Sequence, residues 1–247
     1  MNPVLAYLHY FFFNVYPYIC MAVFLMGSLA RFDRDQYTWK SDSSQLLRRG
    51  ELRWGSNLFH FGVLVVFFGH LFGFLIPHAI ADLVMTPTQH ALGAMIGGGV
   101  AGVCALVGLT LLIHRRVADP RIHANTRPWD IGIMSLLWVQ LVLGLWTIYF
   151  SAQHLDGAMF LQLVTYVQGI VAFRGGNADL LLGVPWVYRA HIALGLTIFL
   201  VFPFTRLAHI WSGFATVAYL FRPAQLVRTR RTPGRQNEGR RGPAGSI

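Results

Sequence analysis

The chain has 247 residues, of which 55% are apolar and only 12% are Asp, Glu, Lys or Arg, about half the roughly 25% charged content of a soluble domain. That balance weighs against an ordinary soluble enzyme and points to a chain whose solvent is lipid. The formal net charge of +10 is no sign of nucleic acid, because no nucleic-acid motif accompanies it and the basic tail lacks interleaved aromatics.

Crossing about 30 Å of hydrocarbon at about 1.5 Å per residue takes about 20 predominantly apolar residues. Five stretches meet that length: Leu5 to Ala30, Asn57 to Ile76, Ala91 to Ile113, Ile131 to Phe150, and Val187 to Ile210. The first is too long for the apolar region of a signal peptide and has no Lys or Arg before Arg31, so it is expected to remain in the mature protein. A basic loop follows, with Arg31, Arg34, Lys40, Arg48, Arg49 and Arg53. Its Tyr37 and Trp39 suit either anchors for soluble partners or an aromatic belt.

The connection from Pro77 to His90 has no Lys or Arg, whereas Arg115, Arg116, Arg121 and Arg127 separate the third and fourth spans. Between the fourth and fifth, AMFLQLVTYVQGIVAF at 158–173 is too short and too polar to cross. It reads as an interfacial helix, either roofing a substrate entrance or packing over the fourth and fifth spans. The fifth span is bracketed by Arg189 and Arg206 with Pro203 inside, and both arginines can snorkel to the interface. Seven more arginines lie from Arg222 to Arg241. Basic residues stay cytoplasmic, so the N-terminus is expected outside and the C-terminus inside. The predicted class is all-α, a five-helix transmembrane bundle over residues 1–221. Residues 222–247 form a basic cytoplasmic tail, expected to be disordered alone and to meet a partner, anionic lipid or only solvent.

Cys20 and Cys104 lie within apolar runs without a CxxC spacing, so neither a disulfide framework nor a thiolate metal site is indicated. Of the ten histidines, His60 and His70 stand in the second span and His191 and His209 in the fifth. An ionisable side chain in hydrocarbon is a functional-site hypothesis that needs a partner. The two spans run in opposite directions, which places His60 opposite His209 toward the cytoplasm and His70 opposite His191 toward the exterior. On one helix the ten-residue interval rises about 15 Å; on the other, eighteen residues rise about 27 Å through five whole turns. Two facing imidazoles at each level are what a six-coordinate haem iron takes. The unequal rises predict tilted haem planes with irons about 20 Å apart. Gly62, Gly69 and Gly73 beside the ligands leave room for a porphyrin face, or serve close helix packing. A zinc protease would want an HExxH motif, and none is present. A proton-coupled carrier would want an acid at depth, whereas the ten Asp and Glu residues lie in loops or at span ends.

Several segments together carry a more specific resemblance. FFFNVYPYI at 11–19, RFDRDQYTWKSDSSQLL at 31–47, SNLFHFG and GHLFG around His60 and His70, FSAQHLDG at 150–157, and RAHIALG and FPFTRLAHIW around His191 and His209 make the chain similar to the gamma subunit of respiratory nitrate reductase, a di-haem cytochrome b. QYTW, SSQ and SAQHLDG are not required by haem binding in general, and the likeness runs to about Arg228.

The resemblance implies two haem b groups, held by His60 with His209 on the cytoplasmic side and by His70 with His191 on the outer side. It further implies oxidation of quinol (menaquinol or ubiquinol) near the outer haem, and electron transfer to an iron–sulfur subunit and a molybdenum-containing catalytic subunit in a bacterial inner membrane. Gly69, His70 and His90 match its quinol pocket, although His90 stands where relatives often have lysine. A neutral His90 can hydrogen-bond a quinone oxygen, or simply cap a helix start. Arg206 and Arg189 are candidates for haem propionates. A di-haem subunit of another reductase, or a haem-free membrane anchor, stays open on the residues alone.

Overall fold

The computed structural model describes residues 2–34, 49–77, 80, 83–124, 126–153 and 156–211, and these are helical with no strand among them. Helix α1 covers Pro3–Arg34, α2 Arg49–Leu75, α3 Pro87–Ala118, α4 the short Pro120–Ala124, α5 Pro128–Ser151, α6 Ala158–Val171 and α7 Trp186–Val201. Among the described residues, five helical segments are long and apolar enough to cross a membrane: α1, α2, α3, α5, and α7 continued to Phe204. Residues 35–48 of the basic loop, with Tyr37 and Trp39, the loop residues His78 and His154, and residues 212–247, which include the tail from Arg222, lie outside the described residues.

Helices α1 and α3 begin ahead of their apolar runs, where capping groups satisfy free backbone amides. Asn2 Oδ1 accepts from Val4 N–H at 3.0 Å with Pro3 in the first turn. Thr86 and Gln89 form a reciprocal capping box, each side chain accepting from the other's backbone N–H at 3.3 and 2.9 Å.

In the bundle, α2 packs on α3, α3 on α5, α5 on α7, and α7 on α1. Lipid offers no hydrophobic force between helices, so the contacts rest on small residues and interhelical hydrogen bonds. Gly55, Gly62 and Gly108 bring the α2 and α3 backbones together: a Cβ at Gly62 would fall on the Ala101 carbonyl oxygen, and one at Gly108 would stand 2.7 Å from the Gly55 oxygen. Polar links join the remaining pairs. Trp138 Nε1 donates to Thr110 Oγ1 at 2.9 Å. Tyr188 donates to the Thr147 carbonyl at 2.9 Å, and Tyr16 and Thr197 share a 2.9 Å hydrogen bond.

Arginines gather at one end, where Arg31 donates to the carbonyls of Pro203 and Thr205 at 2.6 and 3.0 Å. At the opposite end α6 lies across the bundle. Its Leu163 and Tyr166 share a buried cluster with Phe13, Ala178, Leu181, Val184 and Tyr188, and Phe74 packs against it. Thus α6 covers the ends of the first and second spans as well as the fourth and fifth. A π-turn at Phe11–Val15 interrupts α1, and such a turn disturbs the ordinary pairing of carbonyls. Tyr166 Oη donates to the Phe13 carbonyl at 3.0 Å, and burial raises the phenol's pKa, keeping it a donor.

Because the atoms facing Gly62 are α3 backbone, Gly62→Ala is expected to cost about 1–3 kcal/mol of overpacking. Gly50→Ala, where an added Cβ meets nothing within 4 Å, is the control. The thermal midpoint of the helical signal in detergent should fall for the first and not for the second.

Candidate functional site

Two histidine pairs face each other across the space between α2 and the last span. The His60 and His209 ring centroids are 6.3 Å apart, and those of His70 and His191 are 6.2 Å apart. The His60 pair lies toward the arginine-rich end and the His70 pair toward α6. The two levels are separated along α2 by ten helical residues, or about 15 Å.

Local hydrogen bonds fix three of the four rings. His60 Nδ1 lies 2.7 Å from the Ser56 carbonyl, His70 Nδ1 2.8 Å from the Val66 carbonyl, and His209 Nδ1 2.6 Å from the Arg206 carbonyl. A carbonyl only accepts, so Nδ1 carries the proton and Nε2 is left with its lone pair, the arrangement that orients a metal-ligating histidine. Ser56 Oγ adds a 3.2 Å contact to His60 Nδ1.

His191 is held differently. Gln140 on α5 donates to the His191 backbone carbonyl at 3.1 Å and places its Nε2 3.4 Å from the ring Nε2, while His191 Nδ1 is buried with no hydrogen-bond partner among the described residues. Gly144, one turn along from Gln140, gives the ring its place: a Cβ there would stand 2.9 Å from His191 Cε1.

The pairing is reached by a path that helical spacing does not give. Regular helix ends at Val201, because Pro203 has no N–H and its ring blocks continuation. The chain passes through 3₁₀ turns at Phe202–Phe204 and Arg206–Ala208, with extended backbone at Thr205. The expected 27 Å rise over five whole turns therefore does not apply, and the tilt inferred from it loses its basis. Gly62 also differs from the porphyrin reading, since it abuts α3. His60, two residues earlier and so about 200° around the helix, faces away from that contact.

Of the other sequence candidates, Gly69 is open, with nothing within 4 Å of an added Cβ. His90 is not a helix cap, since Thr86 and Gln89 fill that role. It sits in the first turns of α3 with its ring 4.7 Å from Phe160 of α6 and its Nε2 3.8 Å from where a Gly73 Cβ would stand. Phe74 stacks on Phe160 at 6.0 Å and meets His70 edge-on at 5.4 Å. Arg206 lies 3.7 Å from Asp130 of α5. Arg189 keeps a buried Nε with no hydrogen-bond partner among the described residues.

No group of three or more His, Cys, Asp or Glu able to hold a metal ion occurs among the described residues. Donors in twos do not suit a structural zinc, which takes four protein ligands. They do suit an iron whose other ligands come from a macrocycle. With metal–imidazole bonds of about 2 Å, as at zinc, two facing nitrogens stand about 4 Å apart, and centroids at 6.2–6.3 Å match that once the ring widths are added. The partnerless Arg189 Nε suits a carboxylate such as a haem propionate.

Comparison with known proteins gives the family. The nitrate reductase gamma subunit profile matches residues 9–230. The chain belongs to that family. It is 49% identical to the respiratory nitrate reductase 2 gamma chain of Escherichia coli (strain K12) over 229 residues, covering 92% of this chain and all of that one. It is 34% identical to the nitrate reductase gamma chain of Bacillus subtilis (strain 168), covering 88% and 96%. This gamma subunit is thus a membrane subunit of a respiratory nitrate reductase, an oxidoreductase assembled with other subunits.

Sequence reasoning on this gamma subunit passed over Gln140, Gly144, Asp130, Ser56 and Phe160. Gln140 and Gly144 carried a usable signal: a lone amide inside an apolar span with glycine one turn on marks a polar contact to a neighbouring helix. Gly144→Leu is expected to turn His191 away from His70 and weaken binding at that pair alone. Bound haem per chain, measured against wild type, should fall without reaching zero.

Proposed function

We propose that this chain is the quinol-oxidising di-haem cytochrome b subunit of its nitrate reductase, and that it anchors the complex in a bacterial inner membrane. The observation that carries this reading is the pair of facing imidazoles at each of two levels in an apolar bundle. Positive-inside retention assigns the arginine-rich end, with His60 and His209, to the cytoplasm and the His70 and His191 end to the exterior. The same charge asymmetry makes the basic end the docking face for an iron–sulfur subunit and, beyond it, a molybdenum-containing subunit that reduces nitrate.

Haem b at each pair supplies a one-electron carrier when bound. The residues of the chain do the rest. Carbonyls of Ser56, Val66 and Arg206 hold the imidazoles of His60, His70 and His209 with Nε2 presented, while Gln140 and Gly144 seat His191. Arg189 and Arg206 offer guanidinium groups to propionates, with Asp130 sharing the second.

Quinol from the lipid enters beside Gly69, where an added Cβ would meet nothing within 4 Å, next to His70. His90 Nε2 holds a quinol oxygen by a hydrogen bond. Oxidation releases two protons and two electrons: the protons leave on the outer side and the electrons pass inward along α2 toward the His60 level. Charge is separated across the membrane without a carrier moving through it.

Single substitutions at the two levels separate entry from exit. In the assembled complex, His60→Ala should retain the quinol-driven absorbance change of the outer haem yet lose quinol-dependent nitrate reduction. His70→Ala should lose both, while nitrate reduction driven by a viologen radical that bypasses the membrane subunit persists. The reverse pattern would overturn the assignment of the two ends.

A further inference from the structure

Phe160 joins the elements around the His70–His191 pair. It stands on α6, which is tied to α2 at one point and to α3 at another. Gln168 Nε2 donates to the carbonyls of Phe74 and Ile76 at 3.2 and 2.9 Å, fixing α6 to the end of α2. Gly157, in the left-handed region at φ 76°, lies so close to Pro87 that a Cβ would stand 2.9 Å from its carbonyl, fixing the start of α6 to the start of α3. Between these ties the Phe160 ring meets both Phe74, at 6.0 Å with 26° between planes, and His90, at 4.7 Å and 52°.

This contact joins the His90 ring to α6. The ring's Nε2 is aimed at α2 beside Gly73, one turn from the open surface at Gly69. Phe74, the second ring of the stack, is one turn beyond His70. The rings of His70, Phe74, Phe160 and His90 therefore form a continuous series, in which Phe160 links Phe74 of α2 to His90 of α3.

We propose that Phe160 is a positioning residue for quinol oxidation, acting through His90: the α6 ring holds the imidazole with Nε2 directed at the quinol oxygen. The inference rests on the reading of His90 as a quinol contact. It assigns a function to the interfacial helix, which neither the histidine pairs nor helix packing requires.

The test is a double-mutant cycle in the assembled complex, with menadiol as electron donor and Phe160→Ala, His90→Ala and the double variant compared with wild type. Phe160→Ala should raise KM for menadiol about threefold to tenfold, the size of one aromatic contact, with a smaller change in kcat. Phe160→Tyr should restore it, and Phe160→Leu, which keeps apolar bulk without a ring, should not. The double variant should match His90→Ala alone, because two residues acting as a unit are not additive.

Full haem content and an unchanged dithionite-reduced spectrum show that each variant is folded. Multiplicative effects, or a Phe160→Ala variant equal to wild type while His90→Ala is impaired, would overturn the role of Phe160. A His90→Ala variant equal to wild type would instead overturn the reading of His90 on which the inference rests, and the inference with it.

Discussion

An imidazole inside hydrocarbon has two nitrogens to satisfy, and this constraint shapes the bundle. Leaving a buried polar group unpaired costs about 1–3 kcal/mol, so a chain with four such rings in its spans must supply partners for them. For His60, His70 and His209, one nitrogen is satisfied locally by a backbone carbonyl three or four residues earlier. The helix thus fixes the tautomer, and the tautomer leaves a lone pair suited to metal.

The gap between the paired rings depends on how the helices lean. Glycine and alanine draw α2 onto α3 so closely that backbone meets backbone, while α7 is held by α1 and α5. The two histidine-bearing spans are each supported from behind rather than pressed together, and their rings meet at 6.2–6.3 Å. Gly144 is the same device used for a side chain, giving His191 space where any larger residue would push it aside. Small residues therefore do two jobs here, closing one interface and opening a place for a ring.

The spans, the pairing of their histidines and the lopsided arginines were legible because hydrophobic length and charge asymmetry are one-dimensional signals. Distances along the last span were not. Pro203 was visible, but how Phe202 to Ala208 turn after the helix stops depends on Arg31 reaching the carbonyls of Pro203 and Thr205 from the first helix. The role of Gly62 was equally ambiguous in sequence, because packing and cofactor clearance both ask for glycine and only the neighbour decides. Phe160 lay in a stretch read as an interfacial helix, and nothing in its local pattern announces His90, seventy residues earlier, as its neighbour.

The most direct measurement is a pyridine haemochrome count on the purified complex, combined with near-infrared magnetic circular dichroism, which reports the axial ligands of low-spin haem. Close to two b haems per chain, both with two imidazole ligands, is the predicted result. No haem in a folded, haem-sufficient preparation, a single haem, or an axial ligand other than histidine would contradict the two-pair account.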